Sequence, residues 1–257
     1  MTPRELATRE TTDFMRRCWT GARPRVLDVG CGIGDAAVQL SELGWDVTGI
    51  DVDPVAVWRA RSRGVHAIEA DLRGFDSDPF DLVLFTHSLH HIAPLASALD
   101  SVERLLRADG RLLVEELDRG ALDPRAGRWI EERRDLLREA GVLRSQHTPR
   151  AEHAHHTGHH VADHRWSFEH SSTDHLHVGS AMREAVAARF SVSVADRVPY
   201  LYRYLCDELE PTPRGGRLAR IVLEQERDAL ARNAIDPAGL RLAATPRAPG
   251  GSRTSHA

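Results

Sequence analysis

The residues best equipped for chemistry gather in Val26-Leu-Asp-Val-Gly-Cys-Gly-Ile-Gly-Asp35, where a short apolar strand runs into a glycine-rich turn and then a helix. Glycines at 30, 32 and 34 let backbone approach a ligand closely, and the helix that follows presents free amides. A turn of this kind serves several nucleotides, and charge separates them. Asp28 lies two residues before the first glycine, and Asp35 stands where a dinucleotide-binding turn carries its third glycine. At an effective dielectric near 20, like charges about 4 Å apart repel by about 4 kcal/mol. The two carboxylates therefore argue against a pyrophosphate and suit a cationic group. Asp28 has an alternative role, pinning the turn through backbone amides.

Two more acids fall where the rest of a nucleoside would lie. Asp51 ends Gly-Ile-Asp-Val-Asp-Pro and is suited to accept both ribose hydroxyls, and Asp71 in Glu-Ala-Asp-Leu is suited to accept from an adenine amino group. Cys31, Val52, Leu72 and Thr86 adjoin these positions and complete the expected lining. Asp53, just before Pro54, reads as a helix N-cap. A nucleoside carrying an ammonium and a sulfonium, S-adenosyl-L-methionine, satisfies this charge pattern.

Elements that would position these residues are legible from Arg25 to Glu116, where β-branched runs alternate with amphipathic stretches in the manner of a parallel sheet covered on both faces. Strands are expected at Arg25 to Val29, Asp46 to Ile50, Val65 to Glu69, Phe80 to Thr86 and Arg111 to Glu115. Helices are expected at Asp35 to Leu43, Pro54 to Arg63 and Leu95 to Leu106, the last closing before an Asp109-Gly110 turn. A charged helix from Pro124 to Ala140 then leads into a histidine-rich stretch, His147 to His177, which reads as an insertion. The pattern resumes with a helix from Ser180 to Phe190, a strand Ser191 to Val198, a helix Leu218 to Arg232 and a strand Leu240 to Thr245.

The stretch from Val26 to Glu116 resembles class I S-adenosylmethionine-dependent methyltransferases of the small-molecule branch, close to the type 11 methyltransferases. The glycine turn, Asp51, the Asp71 segment with Pro79-Phe-Asp-Leu-Val-Leu-Phe85, and Leu105-Leu-Arg-Ala-Asp-Gly-Arg-Leu-Leu-Val114 carry the resemblance in that order. It implies an α/β, Rossmann-like sheet of seven strands, mostly parallel, whose last strand is antiparallel and slots beside the fifth. Helices would cover both faces, with an insertion after the fifth strand. Expected domains are an N-terminal helical cap over 1–24, a methyltransferase domain over 25–245 with an inserted lid at about 118–178, and a disordered tail over 246–257. The activity implied is methyl transfer from S-adenosyl-L-methionine to the oxygen, nitrogen or carbon of a small-molecule acceptor. A nicotinamide-dependent oxidoreductase and a non-enzymatic S-adenosylmethionine or metal-binding protein are the alternatives.

Ligands of open α/β sheets sit at the carboxyl ends of the strands, so Phe85-Thr-His-Ser-Leu-His-His91 should face a methyl donor. Aligning nucleophile and methyl carbon is worth roughly 7–11 kcal/mol, and a hydroxyl or protonated amine also needs a base, a role that histidine fills near neutrality. His87 is the leading catalytic candidate, with His90 and His91 able to point into the same pocket. The alternative for the Leu89-His-His-Ile92 turn is packing. Ser88 reads as a cap. The N-terminal helix around Phe14 and Trp19, the insertion with Trp129 and Trp166, and Tyr200-Leu-Tyr-Arg-Tyr204 are expected to roof the acceptor, or to serve as ordinary packing.

Histidines 153, 155, 156, 159, 160 and 164 include pairs four apart that would share a helical face, but Thr157-Gly158 interrupts them, and a solvated lid is preferred to a metal site. Composition narrows the class further. The 257 residues carry a formal net charge of −4, with basic residues scattered, so nucleic acid is not an expected partner. No run approaches the roughly 20 apolar residues of a membrane span, and the charged opening segment does not read as a signal peptide. Three widely spaced cysteines argue against a disulfide framework, and a cytoplasmic location is expected. Oligomeric state is open.

Overall fold

A computed structural model describes residues 1–144 and 176–247. The histidine-rich stretch up to 175, Trp166 and the tail beyond 247 lie outside the described residues.

The chain opens with α1 (Pro3–Cys18), which is started by a capping box in which Thr2 and Glu5 exchange side chain to backbone bonds. Five βα-type strands follow: β1 (Arg25–Val29), β2 (Asp46–Asp51), β3 (His66–Glu69), β4 (Phe80–Thr86) and β5 (Leu106–Leu117). The helices between them are α2 (Asp35–Glu42), α3 (Pro54–Ser62) and α4 (Leu95–Leu105). Asp53 caps α3 by accepting from Val55 N–H. β5 starts five residues earlier than the sequence suggests. Leu106 already pairs with Phe80, and a register shift between Phe80 and Leu82 accommodates Asp109-Gly110 inside the strand instead of in a turn.

After β5 come α5 (Pro124–Glu139), α6 (Gly179–Arg189), β6 (Phe190–Val198), α7 (Tyr202–Glu208), α8 (Pro213–Ala231) and β7 (Gly239–Pro246). α8 begins before the expected Leu218 because Thr212 caps it and Pro213 fills its first turn. The seven-stranded sheet has the order β3-β2-β1-β4-β5-β7-β6. β1 to β5 pair in parallel, and β7 inserts antiparallel between β5 and β6. The expected seven-stranded, mostly parallel architecture is therefore found, with its last strand beside the fifth.

One core cluster, with Leu27, Phe85, Leu99 and Val114, and another, with Phe14, Leu40, Val57 and Leu84, hold sheet residues against helices. A third joins α5 to α7 and α8 through Trp129, Ile130, Leu205 and Leu223. Trp129 is thus packed in a core. Phe14 is likewise buried, and Trp19 sits by Trp45, which precedes β2 at the amino ends of the strands. Trp19 does not roof the carboxyl ends of the strands, because a 16-residue helix extends about 24 Å and carries it to the opposite end of the sheet. No helix among the described residues is long and apolar enough to cross a membrane.

Candidate active site

The strand order reverses direction at β1, whose neighbours are β2 and β4. The crevice outside the carboxyl ends of β1 and β4 is the place where open α/β sheets take ligands. The glycine turn fills one wall of it. Gly30, Gly32 and Gly34 have φ of +67°, +55° and +79°, a region that side chains disfavour. At Gly30 the need is also spatial, since a Cβ would stand 2.6 Å from Cβ of Ser88.

The turn's amides are turned inward. Gly30 and Cys31 N–H both donate to Ile50 C=O, at 2.8 and 3.0 Å, and Gly34 N–H donates to Cys31 C=O at 2.9 Å. Gly32 N–H donates to Oδ2 of Asp51 at 2.8 Å, while Oδ1 of Asp51 accepts from Asp53 N–H at 2.9 Å. Asp51 therefore pins the turn through both of its oxygens. Asp28 is fully buried at the end of β1, and Thr86 Oγ1 reaches its Oδ1 at 3.4 Å. Cys31 is a buried thiol packed against Gly49, and burial, with Asp28 and Asp51 nearby, raises its pKa.

Other expected lining residues divide. Val52 is open to solvent beside Asp51, whereas Leu72 is part of the core. Asp71 is held by Arg73, whose backbone N–H and guanidinium hold its pKa at about 2. Asp35 pairs with Arg63 at 2.7 Å and with Arg4 at 3.6 Å, so its charge is matched at the start of α2 and faces the arginines.

The three histidines are sorted by the end of β4. His87 adopts φ +61°, rare for a residue with a Cβ. Its N–H donates to Glu115 C=O at 2.9 Å, and its Nδ1 lies 3.1 Å from the Tyr200 hydroxyl. Burial, aided by the Arg203 charge, pushes its pKa down to about 3. His90 is buried in the 3-10 turn Leu89–His91, with Nδ1 2.6 Å from Oε2 of Glu116. His91 is exposed, its ring 4.0 Å from that of His90. Ser88 occupies the cap position of the turn without capping it. Its Oγ donates instead to Val29 C=O at 2.5 Å, tying β4 to β1 under Gly30.

A charged layer that local sequence pattern does not reveal lies behind this site. Glu115, fully buried on β5, accepts from Arg203 at 2.6 Å and from Arg241 at 3.2 Å. Burial alone would raise its pKa, but the two arginines outweigh it and hold the carboxyl below its ordinary range. Glu116 beside it also accepts from Leu89 N–H at 2.6 Å. Glu226 of α8 accepts three consecutive amides, from Tyr200, Leu201 and Tyr202. The available signal was the Glu115-Glu116 pair ending an apolar strand, since acids buried there require partners.

A family model described as a methyltransferase domain matches residues 4–177. A ubiquinone biosynthesis O-methyltransferase of Alkalilimnicola ehrlichii is 32% identical over 120 residues, covering 42% of this chain and 47% of that protein. The protein of the same description from Xylella fastidiosa is 36% identical over 117 residues, with the same two coverages. The chain thus spans about half the length of the curated relatives it matches. Of solved structures, an S-adenosylmethionine dependent methyltransferase from Mesorhizobium loti superimposes with a TM-score of 0.55 at 18% identity, covering 91% of this chain and 96% of that one. Magnesium protoporphyrin IX methyltransferase from Synechocystis PCC 6803, with bound SAH, gives 0.52 at 12% identity, over 95% and 84%. At those identities the likeness is of fold. With most of its length under that family model and its glycine turn set in this sheet order, the chain belongs to the methyltransferase domain family, with the class I fold.

Proposed function

We propose that this protein binds S-adenosyl-L-methionine in the crevice beside the glycine turn and methylates a small-molecule acceptor. The carrying observation is that the amides of Gly30, Cys31, Gly32 and Gly34 are taken up inside the protein while the carboxylates of Asp28 and Asp51 stand at the ends of β1 and β2. A diphosphate needs free amides and no carboxylates at this turn. A cationic amino acid and a ribose need carboxylate acceptors and a close backbone, which these residues offer.

In this reading Gly30, Cys31, Gly32 and Gly34 form the close-approach wall, with Asp28 and Thr86 on the amino acid side. Asp51 holds the ribose side and Val52 offers an open apolar surface for the base. Asp71 and Leu72 border the base, Asp71 by exchanging part of its bonding with Arg73. When bound, S-adenosyl-L-methionine supplies an electrophilic methyl group on its sulfonium. The chain's own task is to orient the acceptor and exclude water, and His87, half-buried at the end of β4 and bonded to Tyr200, is the group assigned to meet it. His90, clamped to Glu116, shapes that end of the strand, and His91 lies at its rim. The curated relatives named above act in ubiquinone biosynthesis as O-methyltransferases, which supports a small acceptor. Buried free thiols at Cys18, Cys31 and Cys206 support a reducing, cytoplasmic setting.

The test is calorimetry of the full chain with S-adenosylhomocysteine and with NADH, followed by incubation of methyl-labelled donor with small-molecule extract. Saturable binding of the first ligand alone, with label passing to a small product, is expected. Binding of NADH alone, or of neither ligand, overturns the reading.

A further inference from the structure

We propose that Tyr200 is a positioning residue whose hydroxyl donates to Nδ1 of His87 and keeps the imidazole proton on Nε2, so that His87 offers the acceptor a hydrogen-bond donor in place of a base. The role toward an acceptor rests on the methyl-transfer reading above. The tautomer does not.

Geometry supplies the contact. Tyr200 Oη and His87 Nδ1 are 3.1 Å apart, and the rings meet edge to face at 5.3 Å and 77°. A neutral imidazole has one donor and one acceptor nitrogen, and a phenol has one proton and two lone pairs. Among the described residues, neither the Tyr200 hydroxyl nor the His87 ring makes a second hydrogen bond. A phenol O–H is a far stronger acid than a neutral imidazole N–H, and an imidazole nitrogen is a stronger base than a phenol oxygen. The better donor therefore meets the better acceptor when the phenol donates to Nδ1, and the ring proton is then left on Nε2.

Both partners are mounted rigidly. One carboxylate, that of Glu226, receives the amides of Tyr200, Leu201 and Tyr202 at 2.7, 2.9 and 2.8 Å. On the other side, the left-handed backbone of His87 is fixed by its N–H bond to Glu115. The guanidinium of Arg203 lies 5.5 Å from the Tyr200 ring, and with burial it keeps the imidazole neutral, its pKa near 3. A group with so acidic a conjugate acid is a poor proton sink at neutral pH. A bare Nε2–H instead selects an acceptor that presents a lone pair there, such as a carbonyl, carboxylate or phenolate oxygen or an unprotonated amine.

The experiment is nitrogen-15 NMR of the full chain labelled at histidine, at pH 7, with His87→Gln used to assign the His87 signals and Tyr200→Phe as the test variant. The expected wild-type pattern has a protonated Nε2 and a hydrogen-bonded, unprotonated Nδ1. In Tyr200→Phe the Nδ1 resonance should move as an acceptor that has lost its donor, with the Nδ1–H form becoming populated. A wild-type proton on Nδ1, a charged His87 at pH 7, or an Nδ1 resonance unmoved in Tyr200→Phe overturns the proposal. If the variant fails to fold, the wild-type pattern decides alone. Failure of the wild type to bind S-adenosylhomocysteine would instead overturn the methyl-transfer reading, leaving the tautomer result to be judged by itself.

Discussion

Oδ2 of Asp51 accepts the amide of Gly32 at 2.8 Å, so the acid ending β2 and the middle glycine of the turn after β1 form one unit. Nineteen residues separate them in the chain. The same carboxylate takes the Asp53 amide through its other oxygen, so it sets the shape of the turn as well as the polarity of the crevice. Hydrogen bonds to a charged group contribute about 1.5–3 kcal/mol each. Replacing Asp51 by Asn is accordingly expected to weaken S-adenosylhomocysteine binding about 10- to 100-fold, read by calorimetry. Unchanged affinity would remove Asp51 from the cofactor site.

Gly30→Ala tests the close approach between turn and β4. The added Cβ meets Ser88 Cβ at 2.6 Å in a backbone held at φ +67°. Strain at such a position costs about 1–3 kcal/mol, and Ser88 is tied down by Val29. Urea denaturation should show that loss together with weakened cofactor binding. A variant as stable as the wild type would mean that the turn shifts freely.

Glu115→Gln keeps the shape of the β5 side chain and removes the one carboxylate that Arg203 and Arg241 share. Two largely buried guanidiniums then lack that partner. The expected destabilisation is about 3–5 kcal/mol, the range for breaking a buried ion pair from one side, measured as a lower urea midpoint. An unaltered midpoint would show that water enters this layer.

His87 titrates near 6.5 in an unfolded chain and at about 3 in the fold, so between those values the unfolded state binds more protons. The stability that this group contributes is complete above pH 6.5 and is lost as pH falls toward 3. From pH 6.5 to 5 the slope from one such site is up to about 1.4 kcal/mol per pH unit. Unfolding free energies at pH 7, 6 and 5 should therefore fall less steeply in His87→Gln than in the wild type. Parallel slopes would show that His87 is protonated normally in the folded protein.

The sequence by itself determined the sheet and the crevice. Period and punctuation mark β1 to β4 nearly to the residue, because each strand is a short apolar run bounded by Gly, Asp or Pro. The glycines and Asp51 are legible for the same local reason, since a turn needing left-handed backbone and a following acid lie within one βα unit. Tertiary structure alone decided how each acid is partnered. Arg63 and Arg4 approach Asp35 from α3 and α1, Arg73 folds back on Asp71, and Asp51 takes the amides of Gly32 and Asp53, so acids that look alike in the sequence are held differently in the fold. The sorting of His87, His90 and His91 likewise depended on Tyr200 and Glu116, brought from 113 and 26 residues away. Local propensity carries no information about such meetings. They arise when β7 inserts between β5 and β6 and when α7 and α8 pack over the end of the sheet, where burial forces each ionised side chain to find its partner.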